Sequence, residues 1–183
     1  YQDYNVNLQG RSGSTGYYVS LGYLDTEGLI IGSDMKRYSG RLNLDSKFSC
    51  FTIGVNASYS NSTQNGFSQA TSGSMSSATV AAISSMNPMM PFYNEDGSYY
   101  KEGNSYNPVA QNDAKSYNDN YSILSTSFLE LNIWKGLKLK TTLSLNQNMS
   151  YSESYKPTYL TSDNKGYGTE STSRSFTTVF DNT

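Results

Sequence analysis

The chain has no histidine and one cysteine, Cys50. Without histidine no Ser–His or Cys–His dyad can form, and zinc loses its usual nitrogen ligand. A single thiol closes no intrachain disulfide, and in a strand it reads as a small packed side chain. Charge is also scarce. Asp, Glu, Lys and Arg make up 15% of the residues, against about 25% in ordinary soluble domains. The net charge is -2, and the basic residues are scattered, so no nucleic-acid partner is expected. No apolar run reaches the length of a transmembrane helix, and no secretory leader is visible. No pair of carboxylates is placed for glycosidase work. The glycines and serines of residues 10–16 lack the lysine and helix of a phosphate loop. The oxygen-bearing stretch 163–170 departs from calcium-loop spacing. The reading is a protein with no catalytic residues, cofactor or metal centre.

What the chain has is tyrosine, 17 of them, with abundant Ser, Asn, Thr and Gly set into strands of period two. The clearest case is residues 17–45. Tyr17, Val19, Leu21 and Tyr23 point one way, and Tyr18, Ser20 and Gly22 the other. Tyr38, Gly40, Leu42 and Leu44 then alternate with Ser39, Arg41, Asn43 and Asp45. Side chains that alternate in this way mark strands.

In order, strands are predicted near residues 4–8, 15–24, 36–45, 49–60, 121–133, 137–151 and from 169 onward. Gly10 to Ser14 reads as a tight turn of loop formers, as do residues 46–48 and 134–136. From about 61 to 118 no sustained strand is expected. That stretch holds a possible short helix at 75–86, stopped by Asn87-Pro88. It also holds a hairpin on the Asp96-Gly97 turn. A medium loop follows at about 153–168. The chain opens and closes on strand-like sequence, so it is expected to be a segment of a longer protein.

Tight turns therefore alternate with long loops at 25–35, 61–118 and 152–168. That puts all tight turns on one rim and all long loops on the other. Strands of about ten residues with one apolar and one polar face match an outer-membrane β-barrel, in which closure satisfies every backbone polar group. Tyr4, Tyr23, Tyr38, Tyr59 and Tyr151 are candidates for an interfacial aromatic girdle. On the polar face Arg41, Asn43, Asn56 and Glu130 are candidates for the lumen, with Lys138 and Lys140 nearer the tight-turn rim. A secreted or cell-surface β-sandwich used for adhesion or carbohydrate binding would also alternate, with two sheets sharing one core.

Residues 16–45, GYYVSLGYLDTEGLIIGSDMKRYSGRLNLD, resemble a barrel segment of the SusC/RagA family of TonB-dependent outer-membrane transporters. There a Tyr-rich strand, a short acidic-glycine loop and an Arg-aromatic strand follow one another. Pro91-Phe92-Tyr93 with Asp96-Gly97-Ser98-Tyr99 is similar to a loop of that family. So are Asn107-Pro108-Val109-Ala110 and the Trp134-Lys135-Gly136-Leu137 turn. The resemblance implies about seven strands of a barrel of about 22, all-β and antiparallel, with long extracellular loops. It implies an N-terminal plug, absent from residues 1–183. It also implies a TonB complex acting through segments absent here, and a SusD-like lipoprotein over the mouth. The location would be the bacterial outer membrane, the lipid bilayer a partner, and the substrate a glycan oligosaccharide or peptide. In the 61–118 loop, Phe92, Tyr93, Tyr99, Tyr100 and Tyr106 are the expected contacts for substrate or lid. Met75, Met86, Met89 and Met90 would form an adaptable surface or the loop's own small core.

Overall fold

A computed structural model describes residues 1–28, 32–67, 87, 89–102, 105–106, 108–111, 113–161 and 165–183. Side chains at 67, 102, 105, 106, 108 and 111 lie outside the description. In chain order the strands are β1 (Gln2–Ser12), β2 (Thr15–Glu27), β3 (Asp34–Lys47), β4 (Phe51–Phe67), β5 (Lys101–Glu102), β6 (Ser105–Tyr106), β7 (Lys115–Trp134), β8 (Leu137–Lys156) and β9 (Tyr167–Asn182). Seven of them form one sheet in the order β1-β2-β3-β4-β7-β8-β9, and the short β5 and β6 pair with each other. Each long strand lies antiparallel beside its chain neighbour in the sheet. The sheet does not close on itself: β1 and β9 have one neighbour each. Among the described residues there is no second large sheet. The sandwich reading fails on that point, because nothing among the described residues covers the apolar face.

The registers confirm the two faces. One cross-strand row is Tyr4, Tyr23, Tyr38, Asn61, Tyr121 and Met149. The row two residues nearer the tight turns is Val6, Leu21, Gly40, Tyr59, Ile123 and Gln147. These apolar side chains are bare: Val6 is 70% exposed and Leu21 64%. Stranding such residues in water forgoes about 1.5–3 kcal/mol each, a cost that lipid removes.

Strand ends differ from the sequence reading. β4 runs on to Phe67 and β7 starts at Lys115, so paired backbone extends into the expected 61–118 loop from both sides. β8 likewise reaches Lys156 and β9 begins at Tyr167. These extensions are rich in Ser, Asn and Gln, which carry no apolar alternation but still ladder through the main chain. Gly10 belongs to β1, not to the turn. A Cβ there would overlap the Tyr17 side chain, so glycine makes room for a tyrosine. The turn proper is Gly13-Ser14, with Gly13 at φ 56°. The second tight turn is residues 48–50 rather than 46–48, and Phe48 stacks on Phe51 at 4.5 Å. The expected helix at 75–86 lies outside the described residues.

Buried positions are few. Gly16 and Gly54 are covered within the sheet. The other buried residues among those described are Ala110, Ala114, Pro157 and Thr161, all in the loops of the long-loop rim. Among the described residues, packing outside the sheet therefore sits at that rim.

Candidate functional site

Three regions carry the chemistry. The first is the apolar face. Tyr4 and Tyr23 stack at 6.4 Å and Tyr23 meets Tyr38 at 5.1 Å, because one register row aligns all three. Beyond this row the same face turns polar. Lys36 lies 3.8 Å from Asp25, the Asn65 amide donates to Asp34 at 3.0 and 3.1 Å, and the Asn61 amide donates to Asp119 at 2.7 Å. An apolar belt bounded by tyrosines and then by charge spans roughly 25 Å between Tyr38 and Phe48 at the rise and tilt usual for barrel strands. Of the expected girdle, Tyr4, Tyr23 and Tyr38 share a row, while Tyr59 lies one same-face row nearer the tight turns and Tyr151 one row farther. No helix among the described residues is long and apolar enough to cross a membrane; this wall presents strands.

The second region is the polar face, where Arg41, Asn43, Asn56 and Glu130 all stand. Asn43 and Asn56 are direct cross-strand partners. Arg41 faces Ser20 and Ser58 in its row. With Ser39, Ser60 and Ser122 it lines a shallow hollow of about 290 Å³. Glu130 binds Lys138 at 3.0 Å, and the Lys140 ammonium lies 5.1 Å from the centre of the Phe128 ring. Arg11 reaches Asp45 at 3.6 Å across Gly16, where an added Cβ would stand 2.7 Å from the Asp45 carboxylate. Between β7 and β8, Ser150 donates to Asn120 at 2.7 Å and Ser122 to Asn148 at 2.8 Å. Such pairs tie strands together without apolar contact.

The third region is the long-loop rim. The predicted hairpin is present. Tyr93 pairs with Tyr99, the Asn94 amide donates to the Ser98 carbonyl at 2.8 Å, and Gly97 takes φ 81°. Asp96 accepts the Ser98 amide at 2.9 Å and its hydroxyl at 2.6 Å. These bonds favour the carboxylate and hold Asp96 below its ordinary value. Phe92 and Tyr93 are exposed, and Tyr99 and Tyr100 half-buried. The Tyr106 side chain, Met75, Met86 and Asn107 lie outside the description. Met89 is 87% exposed, so it is not part of a loop core.

Two rim residues escaped the sequence reading, Asp113 and Tyr159. Tyr99 donates to Asp113 Oδ2 at 3.0 Å, and Tyr159 donates to the same oxygen. Tyr99 stacks on Tyr93 at 5.2 Å and tilts against Tyr159 at 5.6 Å. The bond to Asp113 pushes the Tyr99 phenol up, while burial first and then the same carboxylate push Tyr159 up further. No local pattern pairs positions 99, 113 and 159, which come from three different segments. A cleft of about 660 Å³ is walled by Asn65, Lys115, Tyr117, Glu153 and Tyr155. These are positions of the apolar-face set, so the cleft lies apart from the polar-face hollow. Among the described residues no cluster of three or more His, Cys, Asp or Glu could hold a metal ion.

A single antiparallel sheet with one apolar and one polar face, joined by alternating short turns and long loops, is a slice of an outer-membrane-type barrel wall. No family model matches the chain. Among curated proteins it is similar to TonB-dependent receptor P39 of Formosa agariphila, 27% identical over 157 residues, which are 84% of this chain and 14% of that protein. It is also similar to TonB-dependent receptor P26 of the same organism, 35% identical over 97 residues, 52% of this chain and 9% of that protein. The solved RagAB peptide importer matches in its 'closed-closed' and 'open-open' states, with TM-scores of 0.74 and 0.75 and 23% identity in each. Both matches cover 98% of this chain and 21% of the solved chain. The chain thus shares its fold with about a fifth of the solved RagAB importer chain. The resemblance to the SusC/RagA family read from residues 16–45 is borne out.

Proposed function

We propose that these residues form part of the wall and external rim of a TonB-dependent outer-membrane importer of large nutrients. The observation that carries this is the one continuous seven-stranded sheet with a tyrosine-bounded apolar belt, similar along nearly its whole length to the RagAB barrel. The apolar face meets lipid, and the Arg41, Asn43, Asn56 and Glu130 face lines the lumen. The long loops, including Phe92, Tyr93, Tyr99, Tyr100 and Tyr106, lie outside the cell. They meet the solute, an oligosaccharide or peptide, and a SusD-like lipoprotein over the mouth. Energy enters from the TonB complex through segments beyond this chain.

The test uses the full-length protein in its native host. Labelled peptides and labelled oligosaccharides are supplied to cells with and without the protein, and with and without TonB. The reading expects uptake of one class, lost in both deletions, and co-purification of a lipoprotein with the barrel. Full-length protein that is soluble without detergent, or uptake unchanged in both deletions, would overturn it.

A further inference from the structure

We propose that Asp113 is the keystone of a clamp that makes two rim loops move as one body. Asp113 stands two residues before Lys115, where β7 begins, so its backbone is fixed by the wall. Its amide also donates to the Ala110 carbonyl at 3.3 Å, which closes the preceding helical turn, Pro108–Gln111.

Onto one carboxylate oxygen come two phenols from opposite sides of the sequence. Tyr99 brings the 91–100 hairpin, and Tyr159 brings the loop after β8. A carboxylate accepts both donors at once, because each oxygen offers two lone pairs. Bonds to an ionised acceptor are stronger than neutral ones.

Both arms are themselves stiff. Tyr159 sits on the 3₁₀ turn Thr158–Leu160. That turn is closed by the Leu160 amide to Pro157 at 3.1 Å. The buried Thr161 hydroxyl lies 2.7 Å from the carbonyls of both Thr158 and Lys165. Tyr99 is held between Tyr93 and Tyr159. The packed positions Ala110, Ala114, Pro157 and Thr161 all belong to these same segments. The clamp therefore fixes Tyr93, whose ring is exposed, relative to the wall.

Hydrogen–deuterium exchange on the full-length protein in detergent tests the clamp. Peptides covering 91–100 and 157–161 are followed in the unchanged protein and in Asp113→Asn, Tyr99→Phe and Tyr159→Phe. The phenylalanine variants keep the rings and remove only the hydroxyls, which guards against simple misfolding. The clamp expects Asp113→Asn to speed exchange in both segments together, by about tenfold. It also expects Tyr159→Phe to loosen 91–100 although it lies in another loop. Acceleration confined to the mutated residue's own segment, or no acceleration in any variant, would overturn it.

Discussion

Gly54 lies directly across from Phe128 on the polar face, and the ring fills the space that a Cβ at position 54 would need. The wall thus packs by pairing a missing side chain with a large one. Gly54→Ala should force the ring off its rotamer and cost about 1–3 kcal/mol. Denaturant unfolding of the full-length barrel would measure it. Phe128→Ala should remove most of that cost in the double variant. Equal costs in both backgrounds would show that Phe128 is not the obstacle.

The two faces predict opposite tolerance to charge. Leu21→Arg places a cation on the apolar belt and should cost about 2–4 kcal/mol near the bilayer midplane. Ser60 stands on the other face, opposite Ser39 and Ser122, so Ser60→Arg should be close to neutral. Assembly into the outer membrane, followed by heat-modified gel mobility, separates the two. Equal damage from both would contradict the assignment of faces.

Glu130 and Lys138 form the shortest described ion pair, 3.0 Å, with the lysine side chain 64% exposed. A pair so open to solvent should couple by no more than about 1 kcal/mol and weaken with salt. A double-mutant cycle of Glu130→Gln and Lys138→Met in the full barrel reads this directly. A coupling several times larger would mean that other parts of the protein cover this patch.

The clamp phenols should titrate late. Both Tyr99 and Tyr159 are raised above the ordinary tyrosine value, so the unfolded loop loses its protons first. The stabilisation they provide is full below the unfolded value near 10. It is lost as alkalinity climbs through their raised values. Ultraviolet titration of the full-length protein should show a late-ionising fraction. Asp113→Asn should move that fraction earlier. No late fraction, or one insensitive to Asp113, would count against the pairing.

Hairpin chemistry also sets a pH limit at the acid end. Asp96 is held below its ordinary value by Ser98, so its support of the turn is full above the unfolded carboxylate value and fades as pH falls through the lowered one. Asp96→Ala should therefore speed backbone exchange at residues 92–100 at neutral pH, and the difference from the unchanged protein should shrink in strong acid. A difference that grows in acid would reverse the assignment.

Much of the wall is legible in the sequence. Period-two alternation in residues 17–45 assigns Leu21 and Arg41 to opposite faces because side chains in a strand must alternate. The Gly97 and Gly136 turns were legible because few residues but glycine adopt positive φ. Strand ends were not: Ser62, Gln64 and Asn118 carry no apolar signal, yet main-chain pairing carries β4 and β7 past them. Gly10 looked like a turn because only the register places it against Tyr17.

By itself the sequence determined which residues alternate, where the chain reverses tightly to within a few residues, and that Tyr17 to Tyr23 present an apolar face. These follow from local stereochemistry. Tertiary structure decided that the seven strands form one open sheet rather than two packed ones, how far each strand runs, and that Asp113 gathers Tyr99 and Tyr159. Those depend on backbone pairing and on contacts between positions 14 and 46 residues apart, which no local pattern encodes.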